Sequence, residues 1–324
     1  MPGRTRADDR RYPVRRPMSI LFGIVAPVFI LIGLGAASLR LRIVDAAAMR
    51  GMTDFVFYIA FPALLFGSVA EAPPLRLADV AGSFLVGAAI LFFLALLLGR
   101  LVLKVSLAQA SVFGMNSIFG NTVMVGIPIV SAAYGRDGLV TLMAIIAFHS
   151  VVLIPLATIF IEADRGGRGS ILIMLRSTFT GIIRNPIVMS LVFAFAWRLV
   201  GVPMPAALHR VLDLLAAAGP PLALFCLGGT LPRPSWSDLR EVSLAVLLKL
   251  VAMPAIVAVV AHLVGVTGLA FAVTVLTAAL PTGANAFLLA RRFETMMEAS
   301  ASTVVIATAL SMVTLTLLLG WLPR

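Results

Sequence analysis

The sequence predicts an all-α integral membrane protein of ten transmembrane helices, built as two oppositely inserted halves of five. Three observations carry that prediction: a composition too apolar for a wet surface, charge-free runs of membrane-spanning length, and prolines that recur at a near-constant interval. Of the 324 residues, 61% are hydrophobic and 12% charged, and the mean hydropathy is +1.08. A soluble domain carries about twice that charged fraction. So few polar groups cannot cover a protein of this size in water, whereas lipid tails solvate an apolar exterior.

A spanning helix needs about 20 mostly apolar residues, and the chain supplies such runs in order. Span 1 (near 18–39) fills the charge-free run Pro17–Leu39, and span 2 (52–70) fills Phe55–Ala70, with Asp54 at its start as a helix N-terminal charge. Span 3 (79–102) holds the run Val80–Gly99, span 4 (108–134) lies in Val105–Gly135 and span 5 (138–161) in Gly138–Ile161. Span 6 (180–201) opens the second half, and span 7 (210–231) covers most of Leu214–Pro232. From Leu250 to Ala290 there is no Lys, Arg, Asp or Glu, room for the end of span 8 (239–263) and all of span 9 (267–290). Span 10 (298–321) lies in Ala299–Pro323. The chain thus divides into a basic tail (1–17), a first five-helix unit (18–161), a loop (162–179) and a second five-helix unit (180–324).

The net charge of +11 does not point to nucleic acid, because the arginines sit in short loops between apolar runs, as topology determinants do. Thirteen Lys and Arg fall on the side of the central loop and five on the other, so that loop is expected in the cytoplasm. The tail brings six more arginines, Arg4 to Arg16, to the opposite side. Translation from Met18, or a disordered tail, reconciles the two. Cys226 is the single cysteine and reads as a small core residue, so no disulfide framework, metal cluster or cofactor site is expected.

The prolines suggest duplication. Pro27 and Pro186 are 159 residues apart, as are Pro62 and Pro221, and Pro128 and Pro281 are 153 apart. Phe66 and Phe225 each follow their proline by four residues. Five helices per half is an odd number, so the second copy inserts upside down, an arrangement found in many secondary transporters.

In such repeats, corresponding Gly/Pro-interrupted segments mark the transport site. Here they are Gly120–Pro128 (GNTVMVGIP) in span 4 and Leu280–Ala286 (LPTGANA) in span 9. Proline removes a backbone donor and crowds the preceding turn, and glycine loosens the chain. Freed N–H and C=O groups at mid-membrane need partners, which a solute can supply, and half-helix N-termini favour an anion. The expected substrate-binding residues are Gly120, Asn121, Thr122, Pro128, Pro281, Thr282, Gly283 and Asn285, with Asn116 and Ser117 nearby; Asn and Gly at helix contacts serve packing equally well. His149, in the middle of span 5, is a candidate for proton or ion coupling with Asp54 and Asn116, or else a neutral ring bonded to a backbone carbonyl. Lys249 is long enough to snorkel to the cytoplasmic headgroups, and His262 lies near a helix end. No Asp or Glu falls at the centre of a span, so any coupling ion must use backbone carbonyls, Asn or Thr oxygens, His149 or Asp54.

Phe55–Phe66 (FVFYIAFPALLF), the Gly120–Pro128 segment, Lys249-Leu250 with Pro254, and Pro281 through Asn285 to Ala290 resemble, in order, the signatures of the auxin efflux carrier family. The resemblance covers essentially everything after Met18. It implies the 5+5 inverted repeat of the bile acid–sodium symporter superfamily, with broken helices 4 and 9 crossing. It also implies a scaffold of helices 1, 2, 6 and 7, able to dimerise, and a transport domain of helices 3–5 and 8–10. In the family, the residues matching Asn121, Pro128, Pro281 and Asn285 lie at the substrate site, bacterial members are associated with small carboxylates and plant members with indole-3-acetate. The expectation is an inner-membrane carrier for a small organic anion, surrounded by lipid and working by an elevator-like movement. A sodium-coupled symporter of the bile-acid type is the alternative. A membrane-embedded enzyme would need a nucleophile–base or aspartate pair in the spans, and no Gly-x-Ser-x-Gly, His-Glu-x-x-His or intramembrane aspartate pair occurs. A non-transporting sensor is excluded by nothing in the residues.

Overall fold

A computed structural model describes residues 21–70, 77–166, 180 and 183–323. The basic tail and the loop residues 167–179 lie outside the described residues. Those described are helical, without a named strand, and seven helices are long and apolar enough to cross a membrane. The elements are α1 (Leu21–Arg40), α2 (Ala46–Ala70), α3 (Ala78–Leu103), α4 (Leu107–Ile118), α5 (Thr122–Asp164), α6 (Pro186–Val200), α7 (Ala206–Thr230), α8 (Leu239–Leu263), α9 (Gly268–Ala278), α10 (Ala284–Arg292) and α11 (Met297–Trp321).

Expected spans 4 and 9 are each interrupted, as α4 running into α5 and α9 running into α10. The turn expected between spans 4 and 5 is a single residue inside α5: Gly135, at φ 62° and ψ −150°, a conformation open to glycine.

Helix starts follow capping chemistry. Ser106 and Gln109 form a capping box before α4, satisfying two orphan N–H groups reciprocally. Replacing Ser106 by alanine is expected to cost about 1 kcal/mol, read as a lowered thermal midpoint. α2 corrects the sequence reading. Asp45 caps it through a 2.7 Å bond from the Ala48 N–H, so the helix starts at Ala46 and not near 52. Asp54 therefore lies exposed in the helix interior instead of at its N-terminus.

Proline acts differently from the expected unwinding. Five-residue π-helical turns occupy Leu21–Val25, Val56–Ala60, Gly99–Leu103, Thr122–Gly126 and Leu248–Ala252, and all but Gly99–Leu103 end two residues before a proline: Pro27, Pro62, Pro128 and Pro254. A proline ring clashes with the carbonyl four residues back. That residue is the centre of each of these four π turns, so the helix widens there and continues.

Packing sorts the helices into two groups. α1 packs along α7, and α2 against α6 and α7. In the other group α3 packs on α4, α5 and α8, α9 lies between α5 and α8, and α11 covers α8 and α10. The tightest approach is α1 on α7. A Cβ on Gly35 would stand 1.8 Å from the Phe225 carbonyl oxygen, and one on Gly228 1.8 Å from that of Ile32. Between the groups, α5 meets α2 and α7 through apolar side chains, and an exposed Arg136–Asp213 ion pair at 2.6 Å ties α5 to α7. Exposed pairs contribute about 0–1 kcal/mol, so this one does little to hold the groups together.

Candidate functional site

The two interruptions meet. α4 ends at Ile118 and the chain runs extended through Phe119 to Asn121; α9 ends at Ala278 and the chain is extended again by Gly283. The segments cross antiparallel, with Gly120 opposite Thr282. The Asn121 N–H donates to the Pro281 carbonyl at 2.8 Å, and the Gly283 N–H to the Phe119 carbonyl at 2.9 Å. This pairing asks Pro281 only for its carbonyl, so the missing N–H costs nothing. Neither Gly120 nor Gly283 has a positive φ; the left-handed freedom of glycine is not what breaks these helices.

Several of the freed groups find partners, as a low-dielectric interior demands. The Thr282 hydroxyl donates to the Asn116 carbonyl at the end of α4 (2.9 Å). The Asn121 side-chain oxygen accepts the Met124 N–H at the start of α5 (3.2 Å).

Beside the crossing lies a cavity of about 290 Å³. Asn121, Thr122, Gly283 and Asn285 line it, together with Asn185 at the start of α6. Three helix N-termini thus border one space, those of α5, α6 and α10, each bringing the partial positive charge of its helix end. The asparagines sharpen that preference. Asn185 accepts from the Ile187 and Val188 N–H groups, as Asn121 does from Met124. In both, capping consumes the amide oxygen and leaves the NH₂ to offer. Thr53 and Thr230, also on the wall, give their hydroxyl protons to carbonyls of their own helices. Among the described residues, no Asp, Glu, Lys or Arg lines the cavity. The arrangement suits a small anion held by neutral donors.

A larger hollow of about 830 Å³ opens between α2 and α6, lined by Tyr58, Pro62, Phe66 and Trp197 among mostly apolar neighbours. It lacks converging polar groups that would orient a charged solute, so the smaller cavity is the candidate site.

The remaining predicted residues separate. Pro128 is buried two turns into α5 and Pro281 gives its carbonyl to the bridge; neither lines the cavity. Asn116 is buried behind the crossing, its amide donating to the Ser300 hydroxyl at 2.8 Å while Oδ1 has no partner. Ser117 bonds back to the Phe113 carbonyl. His149 is buried with its ring 4.1 Å from that of Phe119, and its Nε2 has no hydrogen-bond partner. Asp54 is off the cavity wall.

Lys249 overturns its expectation. It does not snorkel: its side chain is fully buried and its ammonium donates to the Ala278 carbonyl at 2.5 Å, at the C-terminal end of α9. The negative end of a half-helix inside the protein is nearer and less screened than the headgroups. Asn185, Thr53, Thr230 and Ser150 on the wall escaped sequence reasoning. Only Asn185 carried a signal, as an asparagine directly before Pro186 and an apolar run, the pattern of a capped helix start.

Residues 20–319 match the family described as "Membrane transport protein". The chain is 29% identical over 306 residues to the "Putative malonate transporter" of Rhizobium meliloti (strain 1021), covering 93% of this chain and 96% of that protein. It is 25% identical over 288 residues to the "Uncharacterized transporter YfdV" of Escherichia coli (strain K12), covering 85% and 89%. Against "Auxin efflux carrier component 1" of Arabidopsis thaliana it is 32% identical over 119 residues, 35% of this chain and 19% of the other.

Proposed function

The chain belongs to the membrane transport protein family, the family of the auxin efflux carriers, and from that premise we propose that it carries a small carboxylate across the cytoplasmic membrane by alternating access. Membership makes it a multi-pass transporter and not an enzyme. The observation that carries the anion reading is the convergence of three helix N-termini and two capping asparagines on one cavity that no carboxylate lines among the described residues. The Rhizobium meliloti relative, by its name, points toward malonate or a similar short dicarboxylate.

We read the helices as ten spans in a 5+5 inverted repeat, with the crossing at its centre and the central loop in the cytoplasm. α1, α2, α6 and α7 form the scaffold, whose outer face can pair with a second copy, and the other helices form the moving unit. The separation of packing into those two groups supports this division. The weakness of the exposed Arg136–Asp213 ion pair between α5 and α7 is consistent with movement. Cargo would then travel with the crossing while the N-terminus of α6 stays behind, so Asn185 would contact cargo in only one of the two states.

A thermal-shift series of mono- and dicarboxylates on the purified protein tests the reading. Malonate is expected to raise the midpoint of the wild type, and Asn121→Ala and Asn285→Ala to erase that shift. Retention of the full shift in both variants would place the binding site elsewhere.

A further inference from the structure

Lys249 is the one fully buried cationic side chain among the described residues, and no carboxylate pairs with it. Its hydrogen-bond partner is the Ala278 carbonyl. A buried ammonium is costly unless a counter-charge faces it, and one carbonyl with the end dipole of α9 supplies a partial charge only. The ammonium also has an address: it lies 3.6 Å from where a Cβ on Gly120 would stand, and Gly120 forms part of the cavity wall. The fold therefore places the Lys249 amine directly behind the crossing, against the wall of the candidate site, and no carboxylate among the described residues pairs with it.

We propose that Lys249 is a tethered counter-cation for the cargo: its ammonium supplies, through the Gly120–Thr282 bridge, the positive charge that an anion in the cavity pairs with. This rests on the cavity being the cargo site. The same placement bears on coupling. A chain without carboxylates at its span centres would have to hold a coupling cation on freed backbone carbonyls, and the Ala278 carbonyl at the end of α9 is already taken by Lys249. A covalently attached cation does the work of a co-transported one, so malonate binding is expected to be independent of sodium.

The test uses the full chain in lipid nanodiscs with malonate as probe. Lys249→Met keeps the length and removes the charge. Malonate affinity is expected to fall about tenfold or more, because a full charge is lost at short range in a low-dielectric setting. The thermal midpoint without malonate is expected to stay level or rise, since an uncompensated buried charge has gone. A merely structural lysine gives the reverse pattern, a lowered midpoint with unchanged affinity in the folded fraction, and that result would overturn the proposal. Should Lys249→Met fail to fold, Lys249→Ala with methylammonium replaces it: restored malonate binding supports the counter-cation, and no restoration by the amine counts against it. Asn121→Ala run in parallel separates the two readings. Binding lost there but intact in Lys249→Met rejects Lys249 alone, whereas binding intact in both removes the cavity as cargo site and this inference with it.

Discussion

Gly228→Leu is expected to yield no monodisperse folded protein, with the midpoint of any surviving fraction reduced by far more than a cap deletion would cause. The reason is backbone against backbone. The first carbon of the new side chain would stand 1.8 Å from the Ile32 carbonyl oxygen and 2.9 Å from the Ala36 nitrogen, atoms that no rotamer change can move. Gly35 makes the reciprocal demand on Phe225, so α1 and α7 cannot slide to relieve one contact without closing the other. In a membrane, helices associate through such close packing, because lipid supplies no hydrophobic force between them. Overpacking of flexible cores costs about 1–3 kcal/mol, and this rigid case should exceed that range. Gly33→Leu is the control: on the same helix, a Cβ there meets nothing within 4 Å. Size-exclusion profiles and thermal midpoints of both variants decide it. Normal elution and melting of Gly228→Leu would show that the helices do not approach as described.

Asn121→Asp is expected to abolish anion transport while leaving the fold intact. Aspartate caps a helix as well as asparagine does, so the bond from the Met124 N–H survives the exchange. What changes is the face offered to the cavity: the NH₂ is lost and a negative charge stands where the cargo carboxylate should approach. At about 4 Å and an effective dielectric near 20, that repulsion is on the order of 4 kcal/mol, roughly a thousandfold in affinity. Uptake of labelled malonate into proteoliposomes, beside the midpoint of the empty protein, measures both halves. Asn285→Asp should be milder, because Asn285 is exposed and solvent screens its charge. Undiminished uptake by Asn121→Asp would remove the asparagine from the cargo path.

The two interruptions were readable in the chain for a local reason. Pro281 cannot continue α9, and Asn121 is a good cap for a new helix, so each segment declares its break regardless of what lies across from it. That the breaks pair through Gly120 and Thr282 is a matter of two residues 162 positions apart in sequence, which no local rule relates. Asp54 and Lys249 were misread for one shared reason. A sequence pattern shows how far a charge lies from an apolar run, but not that Asp45 is the better cap or that a half-helix terminus waits inside for the ammonium.

Membrane insertion, the all-helical architecture and the positions of the breaks follow from the chain alone, because hydropathy, proline and capping act over one or two turns. Tertiary structure alone decided which glycine is indispensable, Gly35 but not Gly33, and which asparagine from the second half joins the cavity wall as a capped helix start, Asn185. It also decided where the buried cation stands. Each of these depends on what a distant helix brings within a few ångströms, and contacts of that kind are set by packing after the helices have formed.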